Sequence, residues 1–233
     1  MNNATVFYSV DNNYNSMSDE QLISLVKADD KYALDFIIEK YKDLYTKFVK
    51  FLNRYEIALA LNELEKFFWN FCDNYIEIVK RRLYNPDVYG QEKCESAKYA
   101  CYHVLLGMLK MFSPVLPHIT EEIYMDYFAQ KEDKPSIHVS GYLNMGEDVD
   151  SNLIANGDKL VDLVSQVRQF KSENKVSLKT FIKDITVSSN INDFLKSAEV
   201  DVKGVCSVNE INYVESDKFN VEIGEVIPDE PAE

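Results

Sequence analysis

Apolar residues recur at steps of three and four along most of the chain, which is the spacing of one face of an α-helix. This pattern predicts helices over residues 33–52, 56–85, 95–111, 119–129 and from 151 to about 170. Asn53-Arg54-Tyr55 predicts a tight turn that makes the first two of these helices antiparallel. Up to about residue 180 the chain is therefore predicted to be mainly helical, with a helical bundle over residues 46–130.

The predicted helix over residues 56–85 carries the densest apolar stripe in the chain. Its members are Leu64, Phe67, Phe68, Phe71, Tyr75, Ile78 and Val79. Trp69, the only tryptophan, lies within this stretch, and we expect it to belong to the core together with Phe67. Three cations, Lys80, Arg81 and Arg82, follow in the last turn, where they complement the exposed carbonyl groups.

The apolar pattern changes beyond residue 180. Residues 182–189, 202–216 and 219–227 predict strands, with a short helix over residues 191–199 after the first of them. Residues 136–143 are predicted to form a short strand or extended segment. The C-terminal part is thus predicted to be a small α/β subdomain attached to the bundle.

Composition agrees with a folded protein in a reducing compartment. The chain has 233 residues, of which 46% are hydrophobic, and only seven glycines and six prolines. No apolar run reaches membrane-spanning length, and the N-terminus lacks the pattern of a secretory signal. Four scattered cysteines predict free thiols and a cytoplasmic protein.

Charge is distributed unevenly along the chain. The net charge is −14, but residues 39–110 carry 12 basic and 10 acidic side chains, whereas residues 111–233 carry 11 basic and 23 acidic ones. An acidic total argues against a polyanionic partner for the whole molecule. A nucleic acid could therefore meet only a local basic face.

Two stretches combine aromatic, acidic and proline residues in a recognisable order. The first runs from Phe68-Trp69 through Phe71-Cys72-Asp73 to Tyr84, and the second runs from Phe112-Ser113-Pro114 through Pro117-His118-Ile119-Thr120-Glu121-Glu122. Both resemble the anticodon-binding bundle of valyl-tRNA synthetase. The resemblance covers residues from about 44 to the end. The C-terminal α/β part resembles the archaeal-like synthetases of some clostridia.

This resemblance implies a module that binds the anticodon region of a valine tRNA. Single-stranded loops are bound by aromatic and arginine stacking and by cations on the phosphates. The residues that we expect to contact RNA are Arg54, Lys80, Arg81, Arg82, Arg168 and Lys171. For each one alone, a solvated helix face is the competing interpretation.

The family consists of ATP-dependent ligases, but the residues here do not predict catalysis. The HIGH and KMSKS signatures that contact ATP in this class are not found in the sequence. Cys94, Cys101 and His103 are close in sequence without the usual spacing of metal ligands. We therefore predict no catalytic residue, no metal site and no cofactor.

The N-terminal part contains the run MSDEQLISLVKADDKYALDFIIEKYKDLY, with a capping box at Ser18 to Gln21. On this run, residues 1–45 resemble a different family, the start of a sporulation-type RNA polymerase sigma factor. This resemblance implies RNA polymerase as a possible partner. A regulatory protein of that type, or a gene-fusion remnant without activity, is the alternative to the RNA-binding module.

The predicted fold class is mainly α, a helical bundle with a small C-terminal α/β subdomain. Five segments are predicted. They are sigma-like helices over residues 1–45, with merging into the bundle left open, the bundle itself over 46–130, a connecting segment and helix over 131–180, the α/β subdomain over 181–227, and an acidic tail over 228–233.

Overall fold

The computed structural model describes residues 33–227. The predicted capping box at Ser18, most of the sigma-like segment and the acidic tail lie outside these residues. Within them the fold class is confirmed, because a helical bundle precedes a small mixed sheet. No helix of residues 33–227 is long and apolar enough to cross a membrane.

The helices of the bundle follow the predicted order. They are α1 (Phe36–Leu52), α2 (Ile57–Asn70), a π-turn (Phe71–Tyr75), α3 (Ile76–Tyr84), α4 (Pro86–Tyr89), α5 (Gln91–Phe112), α6 (Pro117–Tyr127), α7 (Ala129–Glu132) and α8 (Ser151–Glu173). Asp150 caps α8 by accepting bonds from the amides of Asn152 and Leu153 at 3.1 and 3.0 Å. Residues 136–143, predicted as extended, instead contain a single 3₁₀ turn at Ile137–Val139.

α1 and α2 form the expected antiparallel pair, and the turn between them places Tyr55 at a positive φ of 60°. The buried side of α1 includes Phe36, Ile37, Tyr41 and Leu44. Residues 36–45 are therefore built into the bundle as part of its first helix. Tyr41 packs directly on the backbone of Gly107 in α5, where any β-carbon would overlap its ring.

α2, the π-turn and α3 form one continuous helix. Phe67, Phe71 and Tyr75 follow each other at steps of four, and their rings stack with interplanar angles of 12° and 16°. Steps of four drift around an α-helix, which has 3.6 residues per turn. The wider π-turn offsets that drift, so all three aromatic side chains remain buried.

The expectation that Trp69 lies in the core is wrong. Its side chain is 54% exposed, whereas Phe67 is buried as predicted. The buried positions on either side of Trp69 are 60, 64, 67 and 71, which are three or four residues apart. Trp69 is not on this buried face and lies on the outer side of the helix. Its ring makes an edge contact with the ring of Phe68, with the two ring centroids 5.2 Å apart.

The C-terminal subdomain is a three-stranded sheet with two helices. Its elements are β1 (Ile182–Ser189), α9 (Asn192–Ser197), α10 (Glu199–Cys206), β2 (Val208–Glu215) and β3 (Asn220–Ile223). The strand order is β2-β1-β3, with β1 parallel to β2 and antiparallel to β3. Ile185 of β1 aligns with Ile211 and Ile223 in the register of the sheet.

The predicted strand over residues 202–216 is wrong in its first part, which belongs to helix α10. Val202 and Cys206 are buried at helical spacing, four residues apart. Glu199 and Asp201 lie in the first turn and Lys203 in the last, as the helix dipole favours. This helix packs against α3 and thereby joins the subdomain to the bundle.

Candidate nucleic-acid interface

The three consecutive basic residues at the end of α3 point to different sides of the helix. Lys80 and Arg81 are exposed, whereas Arg82 is 2% exposed. Arg82 continues the buried stripe of Tyr75, Ile78 and Val79 at a step of three or four. Only two of the three adjacent cations are therefore available to a ligand.

Arg82 is bound by the C-terminal subdomain. Its Nε donates to Asp201 Oδ1 at 3.0 Å and its Nη2 to Asp201 Oδ2, a two-bond pair in which both side chains are 2% exposed. Burial raises the pKa of the Asp201 carboxyl, and the bonds from Arg82 act in the opposite direction. The expectation that Arg82 contacts RNA does not fit this burial, since its guanidinium already serves as a contact between helices.

Lys171 is also buried and hydrogen-bonded within the protein. Its ammonium group donates to the carbonyl oxygens of Leu178, Thr180 and Cys206 at 3.1, 2.6 and 2.6 Å. The residue is 1% exposed, because position 171 continues the buried stripe of Leu160, Val164 and Val167. Lys171 connects α8 to the chain around the sheet and cannot meet RNA in this arrangement.

Arg168 and Lys80 share one carboxylate. Arg168 Nη2 donates to Glu77 Oε2 at 3.1 Å and Lys80 Nζ to the same oxygen at 2.7 Å. Partial burial raises the pKa of Glu77, but the hydrogen bonds and charges of Lys80 and Arg168 outweigh it, so the pKa lies below its usual value. Their positive charge is partly compensated, although Lys80 is still 49% exposed at its side chain.

Arg54 is far from the other candidates. It lies exposed in the turn between α1 and α2, beside Tyr55, which is 89% exposed. Arg81 lies at the opposite end of the continuous helix that begins at Ile57. At 1.5 Å per residue, these two arginines are separated by roughly 35 Å along the helix axis. They cannot contact the same nucleotide.

The structure surrounds Arg81 with residues that the sequence did not single out. Tyr84, 63% exposed, follows it by one helical turn, and Tyr89 lies beside it over helix α10. The positive charge of Lys93 acts on nearby Asp201. The only sequence signal of this cluster is the polar segment over residues 84–93, which contains two tyrosines and three charged residues. We call Lys80, Arg81, Tyr84, Tyr89 and Lys93 the basic end of the bundle.

No group of three or more metal-binding side chains could hold an ion within residues 33–227. The four cysteines lie in this part of the chain as free thiols. Burial raises the pKa of the Cys101 and Cys206 thiols to about 12, which disfavours their reactive thiolate forms. The side chains of the basic end, by contrast, offer cations and aromatic rings.

An α-helical bundle with a cation-and-tyrosine surface at one end, extended by a small α/β subdomain, defines the structural class of this molecule. The family described as the anticodon-binding domain of tRNA ligase matches residues 35–186, about two thirds of the sequence. The chain belongs to this family. The match spans the helices of the bundle, α8 included, and ends within β1.

Curated relatives are similar over a longer part of the chain. Valine–tRNA ligase of Rickettsia rickettsii (strain Sheila Smith) is 35% identical over 213 residues, covering 88% of this chain and 25% of that protein. Valine–tRNA ligase of Rickettsia felis is 34% identical over 231 residues, covering 95% and 26%. The chain spans about a quarter of the length of these relatives.

Proposed function

We propose that this chain is a tRNA-binding module that contacts the anticodon region of a valine tRNA through its basic end. The observation that carries the proposal is the exposed Arg81 beside Tyr84 and Lys80, in a chain of the anticodon-binding family. Arginine and lysine bind phosphate oxygens, and exposed tyrosines provide surfaces on which unpaired bases stack. With such a partner, the chain acts in the cytoplasm.

The valine specificity is supported by the relatives, which are described as valine–tRNA ligases. The FCDNYIE run, whose first five residues form the π-turn, also supports it as the motif that carries the resemblance. The clostridial subtype remains a prediction of the sequence. Whether the chain takes part in aminoacylation depends on the parts of the relatives that it does not span.

The RNA contact set is Arg81 and Lys80, with Arg168 supporting Lys80 through Glu77. Arg54 and Tyr55 form a separate exposed pair at the other end of the helix, where they could contact a different part of the same RNA. Arg82 and Lys171 leave the set because they are buried.

Binding to RNA polymerase through residues 1–45 is not favoured by any observation. Residues 36–45 form the first part of helix α1 of the bundle, with Phe36, Ile37 and Tyr41 fully buried. The match to the Rickettsia felis enzyme leaves out only a twentieth of the chain, so it includes most of residues 1–45. A synthetase-like origin therefore explains this segment without a sigma factor.

The proposal is tested by titrating the full chain into a fluorescently labelled valine tRNA transcript at two salt concentrations. We expect binding that exceeds that of a non-cognate tRNA and weakens with salt, by a slope of roughly −0.7 per phosphate contact in a plot of log affinity against log salt. Arg81→Glu is expected to weaken it about tenfold or more, because a cation is replaced by an anion.

Lys66→Glu is the matched control, since Lys66 is an exposed cation of the same continuous helix away from the basic end. Arg54→Glu measures the second contact and is expected to have the smaller effect. Equal affinity for all these variants would contradict the assignment of the basic end. Failure of the unaltered chain to bind either tRNA would reject the function itself and favour a remnant without RNA-binding activity.

A further inference from the structure

Helix α10 of the C-terminal subdomain forms the surface on which two side chains of the basic end rest. A β-carbon on Gly204 would lie 3.0 Å from the hydroxyl oxygen of Tyr89 and 3.1 Å from Cδ of Arg81. Glycine within a helix costs about 1 kcal/mol relative to alanine. The close approach of Arg81 and Tyr89 gives a physical reason for its presence at this position.

The position of α10 is fixed on both sides of Gly204. In its first turn, Asp201 receives the two bonds from Arg82 of α3. At its end, the carbonyl of Cys206 receives a 2.6 Å bond from the ammonium group of Lys171 in α8. Because buried charges are costly to leave unpaired, neither contact is readily released. The subdomain cannot slide along α3 without breaking both.

Arg81 and Arg82 are adjacent in sequence and play complementary parts at this junction. Arg82 anchors α10 from below the surface, and Arg81 extends across the same helix at the surface. Tyr89 lies close to both arginines: burial raises the pKa of its hydroxyl, the charge of Asp201 raises it further, and the charges of Arg81 and Arg82 act in the opposite direction. The basic end is therefore composed jointly by the bundle and the subdomain.

We infer that helix α10 is part of the RNA-binding surface, with Gly204 as the residue that positions Arg81 and Tyr89 to meet the phosphodiester backbone and an unpaired base. This inference rests on the proposed tRNA-binding function. It assigns the α/β subdomain a direct part in RNA binding, because the subdomain sets the direction in which the Arg81 guanidinium points.

The test is a double-mutant cycle on the full chain, using Gly204→Leu, Arg81→Ala and the double variant, with the labelled valine tRNA as probe. The leucine side chain displaces Arg81 and Tyr89, so we expect Gly204→Leu to weaken binding about fivefold. In the double variant, Gly204→Leu should add clearly less than it costs alone, because only its effect on Tyr89 remains once the Arg81 side chain is removed. That lack of additivity is the readout that a purely structural role would not produce.

Val200→Leu is the control, because Val200 is an exposed residue of the same helix, 51% accessible. Gly204→Ala is a milder variant that keeps the test valid if Gly204→Leu does not fold. It removes a helix-weakening glycine, so its urea midpoint should hold or rise while its RNA affinity falls. A stability that falls together with the affinity would instead indicate general damage and overturn the positioning role.

The outcomes separate the inference from the function on which it rests. If Arg81→Ala weakens RNA binding but Gly204→Leu does not, or if the two losses add fully, the positioning role is wrong and the tRNA-binding function stands. If the unaltered chain fails to bind tRNA, both are rejected.

Discussion

At the scale of residues, the fate of each candidate cation follows from its position on a helix. Arg82 and Lys171 each continue a stripe of buried apolar residues, so the fold must enclose them. A buried cation is tolerated when acceptors bind its N–H groups. Asp201 binds the guanidinium of Arg82, and three carbonyl oxygens bind the ammonium group of Lys171. Arg81, one position from Arg82, remains outside the stripe and stays at the surface.

The buried pair gives a prediction about stability. Arg82→Leu leaves the Asp201 carboxylate buried without its guanidinium, and we expect a loss of about 3–5 kcal/mol in the free energy of unfolding. Arg82→Leu combined with Asp201→Leu should recover a large part of this loss, because no unpaired charge remains. Urea titration followed by circular dichroism measures both values.

Arg81→Leu is the matched control, since its exposed side chain should change the free energy of unfolding by no more than about 0.5 kcal/mol. A double variant as unstable as Arg82→Leu alone would show that something other than the unpaired carboxylate accounts for the loss.

At the scale of elements, close approaches rather than helix propensity determine which substitutions are tolerated. α1 reaches the backbone of α5 where the ring of Tyr41 lies on Gly107, and the Tyr41 hydroxyl also donates to the carbonyl of Leu143 at 2.7 Å. The same tyrosine therefore holds two separate parts of the chain to the first helix. The helical spacing of α1 predicts that Tyr41 is buried, but not that it rests on a glycine 66 positions later.

Gly107→Ala is expected to destabilise the protein, although alanine favours helices. The added β-carbon overlaps the Tyr41 ring, and overpacking of this kind costs about 1–3 kcal/mol. The gain in helix propensity of about 1 kcal/mol is not expected to compensate. Denaturant midpoints of Gly107→Ala and of the exposed helical control Ser165→Ala provide the comparison. A more stable Gly107→Ala variant would contradict the packing argument.

At the scale of the whole molecule, the bundle and the α/β subdomain are joined by buried polar contacts. Lys171, Arg82 and Asp201 connect α8, α3 and α10 across the boundary that the change of apolar pattern at residue 180 suggests. A division of the chain at that residue would separate groups that satisfy one another. We therefore expect residues 33–227 to unfold in one transition.

This expectation can be checked with two probes in one urea titration. Trp69 fluorescence reports on the bundle, and amide exchange of Ile185 and Val187 reports on the sheet. The midpoints of the two probes should coincide. Lys171→Met should lower both midpoints, because three carbonyl groups lose their hydrogen-bond donor, and each unsatisfied buried group costs about 1–3 kcal/mol of stability. Lys179→Met is the exposed control. A sheet that opens at lower urea than the bundle would show two independent units.

Much of the fold could be predicted because its signals are local. The spacing of Ile37, Tyr41 and Leu44 identified α1, and the apolar residues Ile185 and Val187, two positions apart, identified β1. The strand predicted over residues 202–206 is wrong, because its two valines, Val202 and Val205, are three residues apart, a spacing that belongs to a helix face. There the approach of α3 and the acceptor for Arg82 favour a helix.

The sequence by itself determined the class of the molecule: a helical bundle with an α/β extension, a family resemblance in the FCDNYIE and PHITEE runs, and a set of six cations in an acidic chain. Only the tertiary structure decided which of those cations face solvent. Exposure depends on what packs against a helix, and Asp201 and Cys206 are distant in sequence from the side chains that they bind. For the same reason, Gly204 could be connected with Arg81 only once α10 was found to lie against α3.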